Sequence, residues 1–333
     1  MKIKPVSLFG KKPQNSTIEF IRPFSGYKKK IFKAREDGKI NPFPHLSYES
    51  PVGYFEKCIV LGGMYPFDPV GHFWYGTTYF QSGLELPNFQ GLAPISLENL
   101  DKLGLSKNWN ELETFKKVVL IHGRDNFGHF LFEIIGKIFL VKNLVESDYT
   151  YLVSDDIPDR FLDYLPLLGV PKKKITKYPK FATFVAEKII VPAVSAHRHP
   201  KHKFPSLDND LFKRMIGEII DYAKASSSQE NKPKKTSSGL FIGREKEKWR
   251  RLENERDVRS VAKNFFSFDM LNPASLDPSN QVLSFNHADI VFAVAGGANP
   301  TVMFCKPGTI VIELIPPNFR GDWGMRIWCA LLN

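Results

Sequence analysis

The chain has 333 residues, more than one hydrophobic core usually supports, so two domains are expected. Hydrophobic residues make up 43% and charged residues 24%, with 28 Phe, which excludes a disordered chain and predicts a sizeable packed core. The formal net charge of +11 points to anionic partners, but the basic clusters at 28–30, 172–174, 232–235 and 244–251 carry no nucleic-acid-binding signature, so nucleic acid is not expected as a partner.

The start, MKIKPVSLFGKKPQ, lacks the apolar run of a signal peptide, and no stretch approaches the roughly 20 apolar residues of a membrane span, so a cytoplasmic location is expected. Up to about residue 100 aromatic, Gly and Pro residues alternate in short runs, such as GYFEKCIVLGG and GHFWYGTTYF, which reads as a β-rich extension. From Lys116 a strand-then-helix rhythm begins. KKVVLI is a buried strand, and DNFGHFLFEIIGKIFLVKN follows with Phe127, Phe130, Leu131, Ile134, Ile135 and Ile138 at the three-and-four spacing of a buried helix stripe. YTYLVS, the amphipathic IPDRFLDYLPLLG and ATFVAEKIIVPA continue it. A helix then places Leu211, Phe212, Met215, Ile216, Ile219 and Ile220 on one face.

Residues 226–238, SSSQENKPKKTSS, have no apolar residue and read as a linker between a domain at 1–225 and a second at 239–333. The second domain reads as strands GLFIGR, FFSFDML, DIVFAVA and TIVIELI separated by helices ENERDVRSVAKNFF, SNQVLSFNHA and NPTVMFC, the pattern of a parallel sheet that binds ligands at the carboxyl ends of its strands. The fold class is therefore α/β.

Three constellations bear on chemistry. His129 and Glu133 are four apart on the helix after KKVVLI, with Asn126 before, Lys137 after and Gly136 beside them, so they form a polar row at a strand-to-helix junction. A carboxylate or imidazole there could take a proton from a hydroxyl. The plainer alternative is that the pair only holds the turn.

Arg244 follows a strand directly, and Arg250 and Arg251 come shortly after; the planar guanidinium suits phosphate oxygens. The alternative is a solvated charged helix, since Glu247 precedes Arg251 and Glu255 precedes Arg259 at the supportive four-residue spacing. Finally, a strand runs into Gly296, Gly297 and Ala298 before Asn299 and Pro300, where small residues let the backbone approach a phosphate. Glu313 closes the next strand, where a carboxylate commonly holds ribose hydroxyls.

The run HRHPKH is interrupted by Pro200 and has no carboxylate or Cys close by, so no metal site is expected at His197, His199 and His202. Cys58, Cys305 and Cys329 read as free thiols.

Asn126 to Glu133, then Arg244 with Arg250, Arg251, Asn254 and Glu255, then Gln281, Phe285, Ala288 and Gly296 through Glu313 resemble, in this order, the motifs of glycosyltransferase family 61, a family also met as a domain of unknown function in capsular polysaccharide clusters. The resemblance implies two Rossmann-like domains facing across a cleft, the GT-B arrangement. It also implies inverting transfer of a hexosyl or pentosyl unit from a nucleotide-sugar donor, UDP-linked, to a glycan or lipid-linked glycan acceptor, without metal or other cofactor.

On this resemblance His129, Glu133 and Asp125 are the candidate catalytic residues. Asn126, Arg244, Arg250, Arg251, Gly296, Gly297, Ala298, Asn299 and Glu313 would bind substrate, the arginines at the donor diphosphate and Glu313 at the nucleoside. The enzyme would work in the cytoplasm, in peripheral contact with the inner membrane face. Where many family members carry a His before the glycine turn this chain has Ala295, and it stops at Asn333 where such folds normally continue with further helices; it is therefore expected to be either truncated or an unusually short version. These two features are also those of an inactive family relative serving as a binding or scaffold subunit of a polysaccharide assembly complex.

Overall fold

The computed structural model describes residues 4–6, 16–21, 31–34, 40–43, 50–62, 65–67, 72–74, 112–123, 125–179, 181–192, 196–198, 205–207, 209–227, 238–245 and 251–315. By contacts these fall into two compact units. The first holds Met1–Ser25, Ser47–Asp125 and His129–Phe212; the second holds Gly26–Leu46, Asn126–Gly128 and Lys213–Asn333. Both contain parallel α/β sheet. Arg250, His199, His202 and Cys329 lie outside the described residues, as does most of the polar stretch at 226–238.

The first unit is built on a sheet whose strands run, from one edge, β1 (Lys4–Val6), β7 (His72–Trp74), β6 (Tyr65–Phe67), β5 (Ser50–Gly62), β11 (Phe181–Pro192), β8 (Thr114–Ile121), β9 (Thr150–Ser154) and β10 (Ile175–Tyr178), with β2 (Ser16–Ile21) also paired to β5. Strands β11, β8, β9 and β10 are mutually parallel, while β11 meets β5 antiparallel.

The parallel strands carry the most apolar sequence because both of their faces are covered. Val118, Leu120, Leu152, Phe184, Ala186, Ile189 and Val191 form one core with Tyr178 and Val60. Val119 and Ile121, pointing the other way by strand alternation, are buried as well. From β8 the chain proceeds outward through β9 and β10 and then returns to the far side of β8 as β11. The switch in strand order therefore lies between β8 and β11.

Helix α1 (127–141) follows β8. It is α-helical at Phe127–His129, opens into a π turn over Phe130–Ile134, and resumes as α-helix over Ile135–Val141. The sequence predicts one buried stripe, but all of Ile135–Val141 is buried, Lys137 and Gly136 included. A helix covered on every side is a core helix, and here it packs against β11 on one side and the short 3₁₀ turn Leu165–Leu168 on another. Phe130 adds ring contacts to Phe161 at 5.3 Å and Tyr164 at 6.1 Å, tying α1 to helix α2 (Asp159–Leu162).

The second unit contains a four-stranded, wholly parallel sheet in the order β15 (Asp269–Leu271), β14 (Gly239–Ile242), β16 (Ile290–Val294), β17 (Ile310–Leu314). The predicted strands and helices of this half are all present: α4 (Glu255–Phe266) links β14 to β15, α5 (Pro278–His287) links β15 to β16, and a 3₁₀ helix, Asn299–Phe304, links β16 to β17.

Capping follows local chemistry. Asp277 accepts the backbone N–H of Asn280 at 3.0 Å, and Pro278 occupies the first helical position of α5, where its missing N–H costs nothing. Central β14 is buried along its length, whereas edge β17 exposes Ile310 and Ile312. Helix α3 (Asn209–Ser226) buries Leu211, Phe212, Met215, Ile216 and Ile219 on one face, as its period predicts, while Ile220, expected on the same face, is only half-buried.

Among the described residues no helix is long and apolar enough to cross a membrane. No group of three or more His, Cys, Asp or Glu in them is placed to hold a metal ion. His197 sits on the short strand Ala196–Arg198, opposite Ser206. Cys305 is buried and forms no disulfide.

Candidate functional site

In the first unit the polar row forms at the carboxyl end of β8. His129 Nδ1 and Glu133 Oε1 are 2.8 Å apart. Glu133 is 1% exposed, and its Oε2 is buried with no hydrogen-bond partner among the described residues. The side chain of His129 is 20% exposed.

Lys137, one turn further, is fully buried and donates from Nζ to the carbonyl of His122, the residue that follows β8. Burial lowers its pKa to about 8, against a raising influence from the Glu133 carboxylate. Gly123 is required beside this row, since a Cβ there would stand 2.4 Å from Ile134 Cγ1 and 3.6 Å from Glu133 Oε2. The π turn centres on the Glu133 segment, and π turns within α-helices recur at functional sites. Asp125, just before α1, is exposed.

In the second unit the loops after β14 and β16 come together. These strands are neighbours, and the chain switches direction between them: from β14 it goes to β15 on one side, then crosses back to β16 on the other. Arg244 leaves the carboxyl end of β14 and Gly296 that of β16. The Arg244 guanidinium lies directly over Gly296, where a Cβ would come within 1.9 Å of Nη1, so only glycine leaves room for it.

The backbone carrying Arg244 is fixed from below by Glu255, 2% exposed, which accepts the N–H groups of Arg244 at 2.8 Å and Glu245 at 3.0 Å. Gly243 is needed for this approach, because a Cβ there would lie 2.0 Å from Glu255 Oε1. The Glu255–Arg259 pair of the solvated-helix alternative does not form. Glu255 turns inward, and Arg259 Nη1 bonds Glu245 Oε2 at 3.1 Å beside Arg256 Nε on Oε1 at 2.7 Å. Two backbone donors at a buried carboxylate outweigh a surface ion pair. Glu255 is the brace of the Arg244 loop that spacing misses; its place in the motif with Asn254 was the only signal.

The tripeptide 126–128 belongs to the second unit and packs on the same turn. Asn126 caps helix α1 by accepting the N–H of Gly128 at 2.9 Å. A Cβ on Gly297 would stand 3.5 Å from Asn126 Nδ2, and one on Gly128 would stand 3.0 Å from Pro300 Cγ. Arg244, Gly296, Gly297 and Asn126 are thus neighbours. Asn299 is buried and donates from Nδ2 to Glu313 Oε1 at 2.6 Å, so Glu313 is braced against the start of the 3₁₀ helix. Ala298 precedes that helix, and its carbonyl accepts from Thr301. Arg251 is exposed.

The family model for Glycosyltransferase 61 matches residues 127–312, more than half of the chain, and that span includes His129, Glu133, Arg244 and Gly296. The chain belongs to the glycosyltransferase 61 family. No curated protein matches it. Glycosyl transfer calls on a proton acceptor for the acceptor hydroxyl and on cations where a leaving group gains negative charge.

Proposed function

We propose that this family member transfers a sugar, with inversion at the anomeric carbon, from a nucleotide-sugar donor to a glycan hydroxyl. The observation that carries the donor side is the seating of Arg244 on Gly296 at the switch point of a parallel sheet, between the carboxyl ends of β14 and β16. Open α/β sheets bind their ligands at that place. Arg244 would neutralise the donor diphosphate, Gly296 and Gly297 would let the backbone approach it, and Glu313, braced by Asn299, would take the ribose hydroxyls.

The parallel α/β strands of both units support a GT-B arrangement with the donor on the second domain, and Arg250 and Arg251 would extend the cationic edge. His129, Glu133 and Asp125 are the groups proposed for proton transfer. No metal is needed on this reading, because guanidinium groups can stabilise the leaving diphosphate. The positive net charge suits a diphosphate donor and an acceptor carried on an anionic membrane surface, in cell-surface or capsular polysaccharide synthesis at the cytoplasmic face.

Incubating the purified protein with UDP-, GDP- and CMP-linked sugars and following release of the free nucleotide tests the proposal. Turnover of one nucleotide class supports it. Binding of nucleotides without turnover of any sugar would favour an inactive scaffold subunit.

A further inference from the structure

The groups on α1 differ in how far they lie from solvent, and that order assigns their parts. Glu133 is buried, with one oxygen committed to His129 Nδ1 at 2.8 Å and the other enclosed beside Gly123. Lys137 lies deeper still, bonded to the backbone at the end of β8. Only His129 reaches outward, with 20% of its side chain exposed. A general base must come within about 2.6–3.2 Å of the oxygen whose proton it takes. A carboxylate 1% exposed cannot be approached that closely by a sugar hydroxyl, whereas the imidazole in front of it can.

We infer that His129 is the catalytic base and that Glu133 is a positioning residue, which accepts the Nδ1 proton and so fixes the tautomer in which Nε2 is the basic nitrogen. The inference rests on the glycosyl-transfer reading. In the step, the acceptor O–H gives its proton to His129 Nε2 as its oxygen forms a bond to the anomeric carbon. The bond from that carbon to the donor phosphate oxygen breaks, and the nucleoside diphosphate leaves with the electron pair. The imidazolium so formed faces the Glu133 carboxylate, the arrangement in which a carboxylate fixes both tautomer and ring orientation. The π turn contributes by holding Glu133 within bonding distance of His129 on a helix whose next turn is wholly buried.

The positioning claim is tested without any substrate, by NMR of the side-chain nitrogens in ¹⁵N-histidine-labelled protein. The neutral His129 ring should carry its proton on Nδ1, and Glu133→Gln, whose amide can present N–H to the ring, should shift it to Nε2. A parent ring protonated on Nε2, or a tautomer unmoved by Glu133→Gln, would overturn the assignment.

The base claim is tested by release of UDP from UDP-glucose and UDP-N-acetylglucosamine in the presence of acceptor glycans. Glu133→Gln should lower kcat at least 100-fold with the donor KM within twofold. If Glu133→Gln does not fold, His129→Gln, which alters a partly exposed side chain, should lose turnover while still being stabilised by UDP. Turnover retained in His129→Gln contradicts the assignment. A parent that turns over no nucleotide sugar contradicts the transfer reading and the base assignment with it, while the tautomer alone decides whether Glu133 positions the ring.

Discussion

Gly296 and Glu255 hold Arg244 from opposite sides, and their substitutions should separate binding from folding. In Gly296→Ala the new Cβ collides with the end of a flexible guanidinium, which can swing away at little cost. Stability by urea unfolding should therefore stay within about 0.5 kcal/mol of the parent. Affinity for the nucleotide product should fall by about 1.5–3 kcal/mol, the range for a hydrogen bond to a charged group. Unchanged affinity would show that Arg244 does not use this seat to bind. Glu255→Gln behaves differently. The amide has one accepting oxygen for two buried backbone donors, so the second unit should lose about 1–3 kcal/mol of stability on urea unfolding. An unaltered midpoint would mean that the loop after β14 is held by other contacts. Arg244 and Gly296 were legible in the sequence because each follows an apolar strand directly, and parallel strands end at ligand edges. Glu255 was not, because its partners are backbone N–H groups some ten residues upstream, which leave no trace in side-chain spacing.

Helix α1 buries the ammonium of Lys137 one turn from the buried Glu133 carboxylate, and this gives it a pH signature. The folded pKa of Lys137, about 8, lies below the ordinary lysine value of 10.5, so between these values the unfolded chain binds more protons than the folded one. Stability contributed by this site should thus rise as pH increases from about 8 to about 10.5, by up to about 3 kcal/mol, and stay level below that window. Lys137→Met should remove the rise, so the difference between parent and variant midpoints, measured by urea unfolding across that range, isolates the site from tyrosines that also titrate. A parallel course of the two curves would contradict the burial. The helix and the strands around it were readable from period and apolar runs, but two features were not. The π turn leaves the order of apolar residues unchanged, so a three-and-four stripe reads the same with or without it. Strand β10, Ile175–Tyr178, escaped because it is four residues long, follows a lysine run and buries only Tyr178 fully. Its place is decided by pairing with β9, a long-range contact.

Across the whole chain, two α/β units each switch strand order beside a loop that carries a polar group, between β8 and β11 in the first and between β14 and β16 in the second. That recurrence, within a chain of the glycosyltransferase 61 family, supports the proposal that Arg244 binds diphosphate, while the proposed proton transfer rests on the exposure of His129 in front of buried Glu133. With a net charge of +11, the long-range part of nucleotide attraction should weaken as salt is raised, while the contact made by Arg244 persists. The most direct test of the account is the thermal shift of the parent and of Arg244→Ala with UDP, GDP and CMP. A ligand that binds only the folded chain stabilises it by about 2.7 kcal/mol at 100 times its dissociation constant. One of the three nucleotides should therefore raise the parent's melting temperature by several degrees and have almost no effect on Arg244→Ala at the same concentration. A parent that none of the three stabilises, or an Arg244→Ala variant stabilised as fully as the parent, would contradict the account.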